Sequence, residues 1–181
     1  EPVARSRDVG TIFTYGETYD RYINNQPDYL KEVYATEPAE IAALKANQIS
    51  SFFEDNVRYG DNRLIYFSSL LEKYIAGGHA LELVLQGYAS PIAQKDYNKI
   101  LSMRRVSSVI NHFKTYNGGS LLAAMKSGQL RIRVEPFGAE RASPTVSADE
   151  KQRQLSVYSI EAMRERKVEI LEINRIFLDK T

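Results

Sequence analysis

Asn98 and Arg105 lie seven residues apart in the stretch Gly87–Val109, GYASPIAQKDYNKILSMRRVSSV. That stretch follows a short strand-like run, Leu81–Gln86, and opens a long amphipathic helix. Seven residues make nearly two full helical turns, so both side chains leave the same face. An amide and a guanidinium aligned beside a strand-to-helix turn suit a small ligand that bears a carboxylate. By spacing alone Arg105 also reads as a solvated or ion-paired helix arginine. Asn98 also reads as a pin between the helix and the loop Tyr88–Lys95, a role compatible with binding. Arg104 reads as a surface charge.

Other chemistries find little support. His79 follows the Gly77-Gly78 break and His112 falls mid-helix, so the only two histidines do not make a metal pair. The chain has no cysteine, which removes disulfides, thiolate ligands and thiol nucleophiles. It contains no Gly-x-Ser-x-Gly, no P-loop and no Gly-x-Gly-x-x-Gly. No carboxylate pair stands out for glycoside hydrolysis. We therefore expect no catalytic residue, no metal and no cofactor. Tyr19, Tyr22, Tyr29 and Tyr34 read as core or interface rather than as a sugar platform.

The elements that must position Asn98 and Arg105 follow from periodicity. The 181 residues suit one domain with a sizeable core. Lys and Arg total 24 against 23 Asp and Glu, a balance that gives no reason to expect nucleic acid. No window approaches the roughly 18 apolar residues of a membrane span, so no membrane insertion is expected. The chain opens on Glu1-Pro2 without a signal-like apolar core, as a mature chain or an excised domain would.

Residues 1–17 read as a loosely docked lead-in. Two helical faces follow, Tyr19/Tyr22/Ile23 and Leu30/Val33/Tyr34, with a break near Pro27. Pro38 opens the next helix, whose stripe is Ile41, Leu44, Ile49, Phe52 and Phe53. Tyr59–Asn62 has turn chemistry, and a helix runs from about Asp61 to Ala76. After the strand Leu81–Gly87, a helix covers about Asp96–Tyr116 with the core stripe Val106, Val109, Ile110 and Phe113. Leu121–Lys126 is a short helix and Gln129–Phe137 a half-buried strand. Gly138–Gln154 is a polar excursion containing Ser143-Pro144, Val157–Arg166 a helix and Val168–Ile173 a third strand. Helices alternating with strands argue for helices packed on a sheet.

Asn98, Leu101, Ser102, Arg105 and Val109, with the preceding Gly-aromatic loop, resemble the signature of the OmpA-like peptidoglycan-binding domain. Glu165–Ile170, ERKVEI, resembles that family's last strand, and the likeness covers about Leu81 to Ile173. GYASP, RVEPFG and SVYS resemble the branch fused to type IX secretion components.

The resemblance implies an α+β fold of βαβαβ type with helices on one face of the sheet. Residues 61–181 would form the core. Residues 1–60 would be a lead-in and helical insertion packed on it, within a single domain. It also implies non-catalytic binding of the diaminopimelate stem peptide of peptidoglycan. The partners would be peptidoglycan and secretion-system proteins, in the periplasm at the outer membrane and cell wall. Carried over by register, Arg105 holds a ligand carboxylate and Asn98 is the helix amide. Tyr88, Ala89, Ser90 and Ile92 supply the loop contacts, and Arg166 is the arginine beside the last strand.

Two departures stand out. Ser90 occupies the position of the family's loop aspartate, which grips an ammonium group. Losing one partner of a buried charge pair costs about 2–5 kcal/mol. Weaker affinity, a charge from Asp96 or Asp55, and backbone carbonyls of Tyr88–Pro91 are all open answers, although Asp96 also reads as an N-cap. Phe52–Asn56 resembles the acidic-Asn turn that ends the family's first strand, and this would bring Asn56 to the site. Ile49, Phe52 and Phe53 nevertheless continue a helical stripe. With helix there, the family's first strand would lie upstream of Glu1. The alternative role is a protein-interaction module of a secretion complex that has lost muropeptide binding.

Overall fold

The computed structural model describes residues 8–90, 95–136, 145–147, 149 and 151–177. The fold is α+β, with helices against a three-stranded mixed sheet. Helix α1 (Tyr15–Asn24) starts at a capping box. Thr14 Oγ1 accepts from the Glu17 N–H, and the Glu17 carboxylate accepts from the Thr14 N–H at 2.7 Å. That backbone bond holds the Glu17 carboxyl below its ordinary pKa. Helix α2 (Gln26–Thr36) carries Pro27 in its first turn, and α3 (Ala39–Phe52) begins behind Pro38.

From Ala39 to Ala76 the chain is one helical run, because a π-helical turn, Phe53–Arg58, joins α3 to α4 (Tyr59–Ala76). Tyr59–Asn62 is therefore helix, not the turn its residue types suggest. Buried Phe53 and Val57 anchor the run on one side, and Leu64 and Phe67 pack into the core on the other. Packing on both sides outweighs local turn preference. The α3 stripe also differs from expectation. Ile41 and Leu44 are 46% and 61% exposed, while Ala42, Ala46, Ile49 and Phe53 are buried. Small alanines let α2 approach closely, so the buried face falls on them.

The sheet has strand order β2-β1-β3, with β1 (Ala80–Gly87) in the centre. β2 (Leu130–Pro136) lies parallel to β1, and β3 (Val168–Ile176) antiparallel. Two helices, α5 (Lys95–Thr115) and α6 (Ser120–Ser127), make the crossover from β1 to β2. Asn117, Gly118 and Gly119 turn the chain between them at positive φ, which Asn and Gly tolerate best. Leu81, Leu83 and Leu85 stand in register with Leu130, Ile132 and Val134. Val106, Val109 and Phe113 of α5, Leu71 of α4 and Leu121 of α6 share their core. Across β1, the pairing with β3 slips between Val84 and Leu85, which leaves Leu171 as the extra residue of a bulge.

The opposite face of the sheet is charged. Arg133 stands beside Val84 in register and meets Glu82 at 3.7 Å, Glu172 at 3.4 Å, and Glu135. These pairs are half exposed and contribute little individually. Ahead of β3, Val157–Arg166 is not one helix. Two short helices, α7 (Arg153–Ser156) and α8 (Ile160–Arg164), flank a break where Ser159 caps α8 by accepting from the Ala162 N–H at 3.1 Å. Most of the polar excursion, with Ser143-Pro144, lies outside the described residues.

Two apolar clusters result. One lies between the sheet and α4, α5 and α6. The other gathers Tyr29, Val33, Ala42, Ile49, Phe53 and Val57 around Met163 of α8.

His112 joins α5 to α4. The Ser68 hydroxyl donates to the Leu64 carbonyl at 2.8 Å, so it accepts from His112 Nε2–H at 3.0 Å. Burial pushes the imidazole below its ordinary value of 6.5. Below pH 6.5 the unfolded chain takes up a proton that the folded chain resists, so stability falls as pH drops through 6.5 toward the folded value. Urea midpoints at pH 7.5 and pH 5.5 should fall more steeply for the native chain than for His112→Gln.

Candidate functional site

The site is built where β1 ends against α5. Gly87, the last residue of β1, sits on the α5 backbone. A Cβ there would lie 2.2 Å from the Ser102 carbonyl oxygen and 2.9 Å from a Val106 methyl. Only glycine allows this approach. It places the next residue, Tyr88, under the helix, where Arg105 Nη1 donates to the Tyr88 carbonyl. Ala89 and Ser90 follow as buried residues, and Asn98 is buried within the first turns of α5. Asn98 and Arg105 are both engaged in further interactions within the fold.

The C-terminal segment meets this loop from the other side. The Tyr88 N–H donates to the Lys167 carbonyl at 2.9 Å. The Tyr88 hydroxyl lies 2.8 Å from Gln86 Oε1 and 2.7 Å from Glu169 Oε2, and Lys167 Nζ lies 4.8 Å from the Tyr88 ring centre. Burial works to raise the Glu169 pKa, but hydrogen bonds from Lys167 and Tyr88 outweigh it and hold the carboxyl below its ordinary value. Tyr88 thus ties Arg105 of α5 to the start of β3. Both quoted sequence stretches converge on one loop.

The remaining predicted site residues fall elsewhere or on the surface. Asp96 is exposed in the first turn of α5. Asn56 is exposed in the π-helical turn, next to Glu54 and Asp55, which line a shallow open groove with Tyr59. Arg166 points its guanidinium at Tyr29 Oη and the Val157 carbonyl, both at 2.6 Å, in the second apolar cluster. Ile92 and Pro91 lie outside the described residues.

Chemically, the Arg105 end offers a half-buried guanidinium, a buried amide and a buried serine beside a strand-to-helix loop. Such a set binds an anionic, hydrogen-bonding ligand by charge-assisted contacts. Ser90, 5% exposed, brings no charge to it. Among the described residues, no group of three or more His, Cys, Asp or Glu is placed to hold a metal ion. No described helix is long and apolar enough to cross a membrane.

The sequence reading missed one feature of α5. Arg104 is buried, not a surface charge, and donates from Nε and Nη2 to the Asp8 carbonyl at 3.2 and 3.1 Å. Ser107 Oγ accepts from the Thr11 N–H, and Asn111 Nδ2 donates to the carbonyls of Thr11 and Phe13. The lead-in from Asp8 to Phe13 is therefore pinned along α5 rather than loosely docked. The helical spacing of Arg104, Ser107 and Asn111 carries the signal, but a polar stripe reads equally as a solvated face.

Comparison of the chain with protein-family models, curated proteins and solved structures returns no match.

Two outcomes follow from this geometry. Gly87→Ala forces β1 off α5 and should cost about 3 kcal/mol or more, read as a lower urea midpoint. Arg104→Ala should leave the sheet intact but speed amide exchange and proteolysis within residues 8–13, measured by mass spectrometry.

Proposed function

We propose that the chain is an OmpA-like domain that binds the diaminopimelate stem peptide of peptidoglycan without catalysis. It would tether a periplasmic assembly at the outer membrane, of the type IX secretion kind, to the cell wall. The observation that carries this reading is the convergence of both motif segments on Tyr88. Arg105 holds its carbonyl and Lys167 accepts its N–H, with Asn98 and Ser90 buried alongside. The progression β1, α5–α6, β2, α7–α8, β3 is compatible with a βαβαβ core. The helices from α1 to α3 take the place of the proposed insertion. Arg105 receives the ligand carboxylate, Asn98 orients the loop, and Tyr88–Ser90 supply neutral hydrogen-bonding groups. Single-site affinity can be modest, because many copies on one assembly multiply weak contacts.

A second reading, a protein-interaction module, draws on a specific observation. Ser90 is buried and uncharged, whereas Tyr34, Ile41 and Leu44 present apolar surface on α2 and α3. In that reading the helices dock a secretion subunit and the loop is a relic.

Co-sedimentation with diaminopimelate-type peptidoglycan separates the two. The native chain should pellet, and Arg105→Ala should lose about 10- to 100-fold in affinity, the worth of charge-assisted hydrogen bonds of about 1.5–3 kcal/mol. A native chain that stays in the supernatant, or an Arg105→Ala chain that pellets equally, overturns the anchor reading in favour of the interaction module. Circular dichroism of the variant confirms that it is folded.

A further inference from the structure

The second apolar cluster contains one charge. Arg166 donates from Nη1 to Tyr29 Oη and from Nη2 to the Val157 carbonyl, both at 2.6 Å. Neither partner is charged, and no carboxylate pairs with this half-buried guanidinium among the described residues. A desolvated cation of this kind calls for a counter-charge.

The hydroxyls around it are also in excess. Tyr29 Oη accepts from Arg166, so its own proton has no acceptor among the described residues. The Tyr22 ring stands 6.0 Å from the Tyr29 ring, edge to face, and the Tyr22 hydroxyl is buried without a hydrogen bond. Tyr22 is close enough to Tyr29 and Arg166 for both to act on its acidity, and burial raises its pKa. Ser156, beside Val157 in the chain, is fully buried and its Oγ also lacks a partner. Buried polar groups are almost always satisfied, so each exception needs a cause. Two phenolic O–H donors and a guanidinium meet here without an acceptor, and the missing group is an oxyanion.

We propose that Tyr22, Tyr29 and Arg166 form a binding site for a small carboxylate. One guanidinium neutralises one negative charge, which matches a carboxylate and leaves a phosphate dianion half compensated. The aromatic rings enclosing the site set its size. Phe53 lies 5.1 Å from Tyr22 and 5.7 Å from Tyr29, and Tyr158 lies 5.1 Å from Tyr29, so the acid carries at most a short aliphatic tail. The bound anion would clasp α1 and α2 to the segment that leads into β3, because Tyr22 and Tyr29 come from the first and Arg166 from the second. This site uses none of the residues that hold the Tyr88 loop, and it stands independently of the peptidoglycan reading.

Acetate is the probe, titrated into the purified chain against chloride at constant ionic strength, with inorganic phosphate as a parallel arm. The native chain should show a saturable rise in melting temperature with acetate. Carbon-13-labelled acetate should show exchange broadening at the same concentrations. Tyr22→Phe provides the sharp test, because it removes only an oxygen that makes no hydrogen bond. Without acetate this variant should be as stable as the native chain or more so, since a buried unsatisfied hydroxyl is lost. With acetate, its apparent affinity should fall about tenfold, the worth of one hydrogen bond to a charged group. Arg166→Gln should abolish the response. A native chain that responds to acetate no more than to chloride overturns the site, as does a Tyr22→Phe response equal to the native one. A stronger response to phosphate than to acetate overturns the assignment to a carboxylate. Peptidoglycan pelleting and the acetate titration are read separately on the native chain, so either reading can fail alone.

Discussion

The contact between Gly87 and the backbone of Ser102 sets the geometry on which the rest of the structure depends. A strand cannot normally approach a helix so closely, because a Cβ holds the two backbones apart. Here a side chain at residue 87 would overlap the Ser102 carbonyl oxygen. With no side chain, the end of β1 lies directly on α5. The buried Leu83 and Leu85 then pack with Val106, Val109 and Phe113. Arg105, three residues beyond Ser102, is brought to the carbonyl of the residue just after Gly87. Core packing and site construction are thus consequences of one missing methyl group.

Helix α5 serves four neighbours from one cylinder. Val106, Val109 and Phe113 face the sheet, and Arg105 faces the Tyr88 loop. Arg104, Ser107 and Asn111 hold the chain from Asp8 to Phe13, and His112 holds α4 through Ser68. Such a helix is weakly amphipathic by nature, because polar residues are buried on several sides and each must be bonded. The helical run from Ala39 to Ala76 does similar work on a larger scale. Its first half packs Ala42, Ile49 and Phe53 into the second cluster, and its second half packs Leu71 into the first. The π-helical turn between them inserts an extra residue and so rotates the buried face from one cluster to the other.

Much of this was legible in the residues. Strict alternation fixed the β2 pattern Leu130, Ile132, Val134, and the 3.6-residue period fixed the α5 stripe. The glycines at 77–78 and 118–119 marked helix ends, as their positive φ angles at Gly78, Gly118 and Gly119 require. The spacing of Asn98 and Arg105 placed both on α5 near the loop. The failures share one cause. Tyr59–Asn62 has turn chemistry but lies in a helix, because packing on either side outweighs a local preference. Ile41 and Leu44 look like core but are exposed, because two alanines fit the closer approach. Arg104 looks solvated but is buried, because the partner of its guanidinium is a backbone carbonyl 96 residues away in sequence.

Sequence by itself therefore determined periodic properties: which segments are helix or strand, where glycine stops them, and which polar residues share a face. These depend on neighbours within a few residues, whose relative positions the backbone geometry fixes. Tertiary structure alone decided which polar faces are buried and where Arg166 points. It also decided how the helical run keeps its course through Tyr59–Asn62. Each of those outcomes depends on a partner distant in the chain. The energy that selects that partner, from burial and hydrogen bonding, exists only once the distant segments have met.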